Sequence, residues 1–576
     1  MTTFRVWAPA AATVELAHDG RRRAMAPAGG GWYCVDVASG AGADYSFVLD
    51  GRDPVPDPRS PWQPAGPHGP SRHVDHEAFA WSDAAWRGIH LPSAVIYELH
   101  VGTFTREGTF EAVISKLDHL VDLGIDAVEL LPVAEFPGNR GWGYDGVDLF
   151  APHHSYGGPD GLKRLVDACH SRGLAVVMDV VYNHLGPAGN YLSTFGPYFT
   201  DRYSTPWGPA VNLDGAGSDE VRQFFVDNAV LWLRDYHFDG LRIDAVHGFV
   251  DTSAVHFLEQ LGLRVEQLAA SLGRSIFLIA ESDLNDPRVV NRREVGGYAM
   301  DAQWSDDFHH ALHALLTGES DGYYRDFGTL AQLATSLEAA YVYAGGYSAY
   351  RDRRHGRPVG DLPAHRFVGY LQNHDQVGNR AVGERSSALL SAGRMKVAAA
   401  LVLAAPFVPM LFQGEEWGAT TPFQYFTDHD DAELGRAVSE GRRREFAGFG
   451  WDPDEVPDPQ HPETFERSKL DWGELDRHDH KELLSWYRRL IRLRRDEPAL
   501  RSGTFDGINV SFDEQARWMI VDRGRLATAC NLGTEAIRLP VPGEIALSSD
   551  SGVRAEDGQL VLPADTVAFV RRISGC

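Results

Sequence analysis

Apolar and polar residues alternate in short runs from Phe4 to about Ala80. Phe4, Val6, Thr13, Val14, Leu16, Tyr45, Phe47 and Leu49 fall in such runs, separated by Gly, Pro and Asp. Period-two alternation with frequent turns predicts strands, so a small β-sandwich is expected here. From Asp53 to about Ser71 Pro and Gly crowd together, which predicts a linker.

After Ser93 the period changes. Ala94–Leu99 reads as a strand. Thr109 is placed to cap a helix whose apolar residues, Ile114, Leu117 and Val121, recur at helical spacing, and Gly124 ends it. A second strand follows at Ala127–Leu131. The unit then repeats: Asp160 opens a helix with Leu162, Leu165 and Val166, Gly173 ends it, and Ala175–Asp179 is a third strand. A helix with Phe225, Leu231 and Leu233 leads to a strand at Leu241. Further strands are expected at Ile276–Ile279, Ala299–Trp304, Phe367–Leu371 and Phe407–Phe412. Strand–helix alternation implies a parallel sheet, and eight units point to a closed (β/α)8 TIM barrel of class α/β. A last helix is expected over Lys481–Arg495, and short β-runs return from about Ser502. The expected division is an N-terminal β-sandwich of carbohydrate-binding or immunoglobulin-like kind over 1–85, the barrel over 86–500 and a C-terminal β-sandwich over 501–576. Excursion loops are expected near 185–217 and 451–472.

A length of 576 residues suits several domains. A hydrophobic share of 43% and a charged share of 23% fit a globular protein. The formal net charge of −26 argues against nucleic acid and anionic membrane as partners, because both select basic patches. Cys34, Cys169, Cys530 and Cys576 are far apart and show neither metal-ligand spacing nor a disulfide framework, which suits the cytosol. The N-terminus shows no basic stretch followed by an apolar run, and no run is long enough to span a bilayer, so a cytoplasmic location is expected.

Chemistry then gathers at the ends of the expected strands. The third runs into Asp179, Asn183 and His184; the fourth carries Arg242 and Asp244, with His247 beyond; the fifth ends at Glu281; the seventh runs into Asn373, His374, Asp375 and Gln376. In a barrel these ends face one mouth. Two opposite charges at a buried strand end are unfavourable unless paired or used. Cleaving a glycosidic bond takes one charged carboxyl and one that holds a proton. Arg242 lies two residues from Asp244, on the same strand face, and favours its ionised form. Glu281 follows Phe277-Leu278-Ile279-Ala280, and apolar surroundings raise a carboxyl pKa, which suits the acid. Asp375 is a third carboxylate able to hold sugar hydroxyls, and His184, His247 and His374 can donate to the same ring. Two other readings stay open: Asp244 as a helix cap, and the His/Asp cluster as a metal site, although no two His sit at a ligand spacing on one helix.

These four stretches resemble the signature regions of the α-amylase superfamily of glycoside hydrolases. The resemblance covers about Ser93 to Arg495. It implies Asp244 as nucleophile, Glu281 as general acid/base, Asp375 as transition-state stabiliser, and a retaining mechanism on α-glucosidic bonds. Finer stretches are similar to the branch of that superfamily that releases trehalose from maltooligosyl-trehalose: Phe136–Val147, Trp304–His310, Gln372–Arg380 and Gln413–Trp417. On that resemblance Tyr144 stacks under the sugar whose bond is cut, with Asp145 beside it, and Trp142 either packs nearby or belongs to the rim core. Asp306, Asp307, His309 and His310 grip hydroxyls on the trehalose side, unless Asp306 merely caps a helix. Gln376, Asn379 and Glu416 complete the substrate-binding set. The resemblance further implies a partner synthase that makes the trehalose-ended substrate. No cluster of oxygen ligands stands beside Asn183, so neither a metal nor a cofactor is expected. Branching or debranching of α-1,4-glucan is the alternative within the superfamily. A non-catalytic glucan-binding scaffold is disfavoured because all three carboxyls are present.

Overall fold

The computed structural model describes residues 1–447 and 455–572. At the N-terminal end two antiparallel sheets face each other. One orders Thr2–Trp7, Trp32–Val37 and Ala26–Gly29; the other orders Arg21–Ala24, Val14–His18, Asp44–Leu49 and Ser71–Arg72. The alternating residues Phe4, Val6, Leu16, Tyr45 and Phe47 are buried between them.

The Pro- and Gly-rich stretch after this sandwich is not a free linker. Asp57, Ser60 and Gln63 are buried. The Tyr45 hydroxyl donates to Asp57 at 2.8 Å, Ser60 Oγ donates to Gln63 Oε1 at 2.7 Å, and Arg59 pairs with Asp227 at 2.7 Å. Pro and Gly limit backbone shape without preventing packing, and several of the segment's buried polar groups are hydrogen-bonded.

Eight parallel strands close into a barrel: β1 (Ile96–Leu99), β2 (Ala127–Leu130), β3 (Ala175–Val180), β4 (Gly240–Ile243), β5 (Phe277–Ala280), β6 (Ala302–Trp304), β7 (Phe367–Tyr370) and β8 (Val408–Phe412). The hydrogen-bonded order is β3-β4-β5-β6-β7-β8-β1-β2. All are buried on both faces, which is why they read as apolar runs rather than as alternating ones. Ile96, Ala127, Val177, Ile279 and Met410 pack in one apolar cluster, while Leu99, Leu130 and Leu241 join the helices in another. Period two therefore places Glu98, Glu129 and Asp179 on the face shared with Ile96, Ala127 and Val177. A charged layer lies directly above an apolar one.

Local signals hold with one change: the helix expected from Thr109 to Gly124 is two, Phe110–Ile114 and Leu117–Leu123, and Val121 is exposed. The Thr109 side chain accepts from the Ala112 N–H at 3.2 Å, and Gly124 closes the following helix at φ 100°, a left-handed conformation that glycine adopts without strain. The helix containing Asp160 starts slightly earlier, at Gly158. The last barrel helix spans His478–Asp496. Residues 185–217 hold a short helix, Leu192–Phe195, and a hairpin of Phe199–Thr205 with Gly208–Val211. Of the expected loop at 451–472, residues 451–454 lie outside the described residues, as does Cys576. Cys34, Cys169 and Cys530 are free thiols. Among the described residues no helix is long and apolar enough to cross a membrane.

Beyond the barrel a five-stranded antiparallel sheet meets a three-stranded one across Ile520, Ala529, Leu560 and Val570. One buried arginine of this unit, Arg523, ties it to the barrel, and a second, Arg494 of the last barrel helix, serves the same helix end. Arg523 donates to the carbonyls of Ala404, Ala405 and Leu500, and Arg494 to those of Leu403, Ala405 and Phe407. Each guanidinium takes up carbonyls that a helix end leaves unpaired. Replacing Arg523 by Met is expected to destabilise the protein by about 2–4 kcal/mol, because the Ala404 and Leu500 carbonyls would lose their side-chain donor. Urea unfolding of wild type and variant measures this, and identical midpoints would refute it.

Candidate active site

The charged layer is organised by Arg242, which is 1% exposed. On β4 its register neighbour is Asp179 of β3. Arg242 Nη1 donates to Asp179 at 2.9 and 2.8 Å and to Asp244 Oδ1 at 2.8 Å, while Nη2 lies 3.2 Å from Glu281 Oε2. The guanidinium sits 4.2 Å from the centroid of the Trp304 ring, a cation–π contact in the barrel interior. One cation thus faces three carboxyl groups, and β3, β4 and β5 bring them together by their parallel register.

Asp244 and Glu281 follow their strands directly. Ala245, next in the chain, has φ 40°, a left-handed conformation rare for a residue with a Cβ. The bend aims its N–H at Glu281 Oε2, 2.7 Å away. Such strain persists only where surrounding contacts hold it, and here Arg242 and Glu281 do so. Asp375 lies in the short helix His374–Gly378 after β7. Asn373 caps that helix: its Oδ1 accepts from the N–H groups of Asp375 and Gln376 at 2.9 and 3.1 Å, which sets where Asp375 points. Asn379 Nδ2 donates to Asp375 at 2.6 Å.

Asp244, Glu281 and Asp375 line one cavity of about 630 Å³, sized for several sugar rings. Burial raises the pKa of Glu281 even though Arg242 and the Ala245 N–H pull the other way. Burial likewise raises Asp375, with the charge of Glu281 adding to the shift. Asp306 is raised well above the usual carboxylate range by burial, although the Tyr370 hydroxyl donates to it at 2.5 Å. The cavity therefore holds carboxyls that keep protons more readily than free ones do.

Of the other residues singled out in the sequence, Tyr144, Asp145, His184, Arg242, His247, Asp306, His310, His374, Gln376 and Asn379 line this cavity. Trp142 also lines it and packs on Phe423 at 5.2 Å, so it serves both core and rim. Gly143 has φ 98°, and a Cβ there would collide with the Pro132 carbonyl; glycine is what lets the chain turn Tyr144 inward.

Four expected residues stand elsewhere. Asp307 accepts from the N–H groups of Val342 and Tyr343 and from Asn285. His309 is buried between the Leu371 carbonyl and the Tyr324 hydroxyl. Both lie on the helix Asp306–Thr317, where successive side chains are separated by about 100°, so Asp306 and His310 face the cavity while their neighbours turn away. Asn373 is fully buried as a cap. Glu416 is 0% exposed and is held by Tyr97 at 3.2 Å and His119 at 2.8 Å, behind the barrel wall.

The structure adds residues that no motif marked. Trp207, at the hairpin tip, stacks on His184 with 5.2 Å between centroids and 8° between planes. Asp283 pairs with Arg351 at 3.0 Å. Tyr323, Tyr350, Tyr425 and Arg442 complete the wall, and Arg442 donates to Asn379 Oδ1 at 2.8 Å. Signals existed for two of them: Trp207 sits in the Gly-, Pro- and Tyr-rich excursion, and Asp283 lies two residues past Glu281. The others come from distant loops.

Among the described residues, Glu135, His153 and His154 are grouped closely enough to hold a metal, with ligand atoms within 4.8 Å of one another. They stand outside the cavity, and Glu135 already accepts from the ring and the N–H of His154, at 2.7 and 2.9 Å.

The family profile for the α-amylase catalytic domain matches residues 75–198, and one described as a domain of unknown function, DUF3459, matches residues 503–569. An Arthrobacter ramosus protein named malto-oligosyltrehalose trehalohydrolase is 52% identical over 99% of this chain and 99% of its own length. A crystal structure of a Salmonella typhimurium protein assigned as an α-amylase superposes with a TM-score of 0.91 at 39% identity, covering 99% of this chain and 97% of that one. The 1,4-α-glucan branching enzyme GlgB of Corynebacterium jeikeium is more distant, 29% identical over 72% of this chain and 61% of its own length. The chain is an enzyme of the α-amylase superfamily of glycoside hydrolases, and it belongs to the malto-oligosyltrehalose trehalohydrolase family.

Proposed function

We propose that the enzyme hydrolyses the α-1,4-glucosidic bond next to the terminal trehalose of maltooligosyl-trehalose, releasing trehalose and a maltooligosaccharide with retention of configuration. The observation that carries this reading is the single guanidinium that holds Asp244 and Glu281 at one cavity wall. Asp244, paired with Arg242, attacks the anomeric carbon as the glycosidic C–O bond breaks. Glu281, whose pKa burial raises, gives a proton to the departing oxygen. A glycosyl ester on Asp244 results. Water then attacks the anomeric carbon, Glu281 takes its proton back, and Asp244 is released. Asp375 holds ring hydroxyls as positive charge develops. Asp306 and His310, with Tyr323, Tyr350 and Arg351 opposite, are assigned to the trehalose side. Tyr144 stacks beneath the sugar whose bond breaks, and His184 and Trp207 offer a stacking platform to the glucan chain.

The substrate implies an enzyme elsewhere that converts the reducing end of a maltooligosaccharide into trehalose. A cytoplasmic location and the division into 1–85, 86–500 and 501–576 belong to the same reading.

With maltotriosyl-trehalose, chromatography is expected to show free trehalose plus maltotriose, and little action on maltohexaose. New branch points or debranched glycogen instead would favour a branching or debranching enzyme. Asp244→Asn is expected to lose roughly 10⁴-fold in kcat, the scale of removing one member of a catalytic set, and unchanged turnover would remove Asp244 from the mechanism.

Glu281→Gln is expected to slow cleavage of the natural substrate by about 10²–10⁴-fold, while leaving the first step on a substrate with an activated leaving group nearly intact. Equal loss on both substrates would assign the acid role elsewhere.

The raised pKa of Glu281 also has a sign in stability. The folded chain binds that proton more tightly than the unfolded chain, so its contribution is full below the unfolded carboxyl range and is lost as pH rises through the folded value. Glu281→Gln should therefore melt above wild type at pH 8 and together with it at pH 4. A lower midpoint at pH 8 would contradict the shift.

A further inference from the structure

On the floor of the cavity, His374 has a hydrogen bond at each ring nitrogen. Nδ1 lies 2.6 Å from Glu98 Oε1, and the His374 main-chain N–H donates to Glu98 Oε2 at 2.9 Å. Nε2 lies 2.8 Å from the Tyr144 hydroxyl. Tyr144 in turn donates to Asp179 Oδ2 at 2.6 Å. His374 and Glu98 are 3% and 1% exposed in their side chains, so water does not complete these bonds.

The donors in this chain can be counted. Tyr144 has one proton and keeps it, since burial raises its phenol well above the ordinary range. That proton goes to Asp179, whose two oxygens also accept from Arg242. The phenol oxygen can then only accept from His374, so Nε2 carries a proton. Glu98 Oε2 already accepts from the His374 main-chain N–H, and Oε1 of the same carboxyl is the acceptor facing Nδ1 at 2.6 Å, so Nδ1 carries one as well. Both ring nitrogens donate, and a ring that donates twice is an imidazolium.

We propose that Glu98, at the end of β1, is a positioning residue that holds His374 as a doubly protonated cation, and that this cation fixes the Tyr144 hydroxyl as a donor to Asp179 beneath the reacting sugar. The proposal rests on the reading that Asp244, Glu281 and Asp375 do the chemistry at this cavity. It concerns how their floor is set.

The surrounding charges agree. Burial opposes the charge on His374, but Glu98 and the adjacent Asp375 outweigh it and the repulsion of Arg242, and the pKa is raised. His100, Asp179 and Tyr144 also face this ring, with Trp142 and Trp304 at 5.6 and 6.1 Å. Burial pushes Asp179 up to about 7, so above that pH it is an acceptor and the donor count holds without an alternative arrangement.

Glu129 is the natural control. It is the register neighbour of Glu98 on β2, equally buried, yet neither of its oxygens has a hydrogen-bond partner. Burial and the charge of Glu98 raise its pKa well above the carboxylate range. Of two adjacent buried glutamates, the one with hydrogen-bond partners is the one that meets His374.

The test is nitrogen NMR on full-length enzyme labelled with ¹⁵N-histidine, at pH 8, with His374→Asn used only to assign the signal. Both His374 nitrogens are expected at protonated positions in wild type. In Glu98→Gln one of them should move to an unprotonated position. For that variant kcat/KM on maltotriosyl-trehalose should fall by about 10–100-fold, the scale of losing a charge-assisted hydrogen bond. Glu129→Gln should stay within about threefold of wild type, as expected for a side chain with no hydrogen-bond partner to lose. A neutral His374 in wild type overturns the proposal, even if Glu98→Gln fails to fold. Equal losses from the two glutamate variants also overturn it, since they would mean that any change to this layer disturbs packing. Neither result touches the assignment of the reactive carboxyls, which wild-type turnover by Asp244→Asn would sink.

Discussion

A buried guanidinium is the constraint on which the rest of this molecule depends. Arg242 lies inside the barrel, away from water, and its charge is tolerable only because Asp179, Asp244 and Glu281 surround it. The dependence runs both ways. Three carboxyls at neighbouring strand ends would repel one another without the cation. The parallel barrel makes the arrangement cheap to specify, because register alone carries Asp179, Arg242 and the start of the Glu281 loop to one level. The apolar layer beneath, with Ile96, Ala127 and Val177, keeps that level dry.

Around this charge the local geometry is set by short-range devices. Ala245 bends against its preference so that its N–H meets Glu281. Asn373 caps a helix of five residues and thereby aims Asp375. Gly143 permits a close turn that a side chain would block, and Tyr144 follows it into the cavity. Each device acts on the backbone next to a cavity-lining group, so that group's position follows from its neighbours in the chain. The His374 network extends the same logic to protons, since hydrogen-bond partners decide which atoms donate.

The walls are a different matter. Trp207 comes from the excursion after β3, Tyr350 and Arg351 from the segment before β7, and Arg442 from the helix after β8. These loops enclose the cavity, and loop variation on a fixed scaffold is how barrels acquire distinct substrates. The acidic surface implied by a net charge of −26 is compatible with a neutral sugar, which electrostatics neither attracts nor repels.

The sequence by itself determined the barrel, the strand ends that carry Asp179, Arg242, Asp244, Glu281 and Asp375, and the two β-rich flanks. It could do so because these features are local: period, length, glycine stops and a charge within an apolar run are readable over a few residues. Tertiary structure alone decided which of two adjacent helix positions faces the cavity, so Asp306 and His310 line it while Asp307 and His309 do not. It also sent Glu416 behind the wall, turned the Pro-rich stretch at 53–71 from a linker into packed structure, and brought in Arg351 and Arg442 from far along the chain. The physical reason is the same in each case: a side chain's role is set by the neighbours that long-range packing brings to it, and those neighbours leave no trace in the residues beside it.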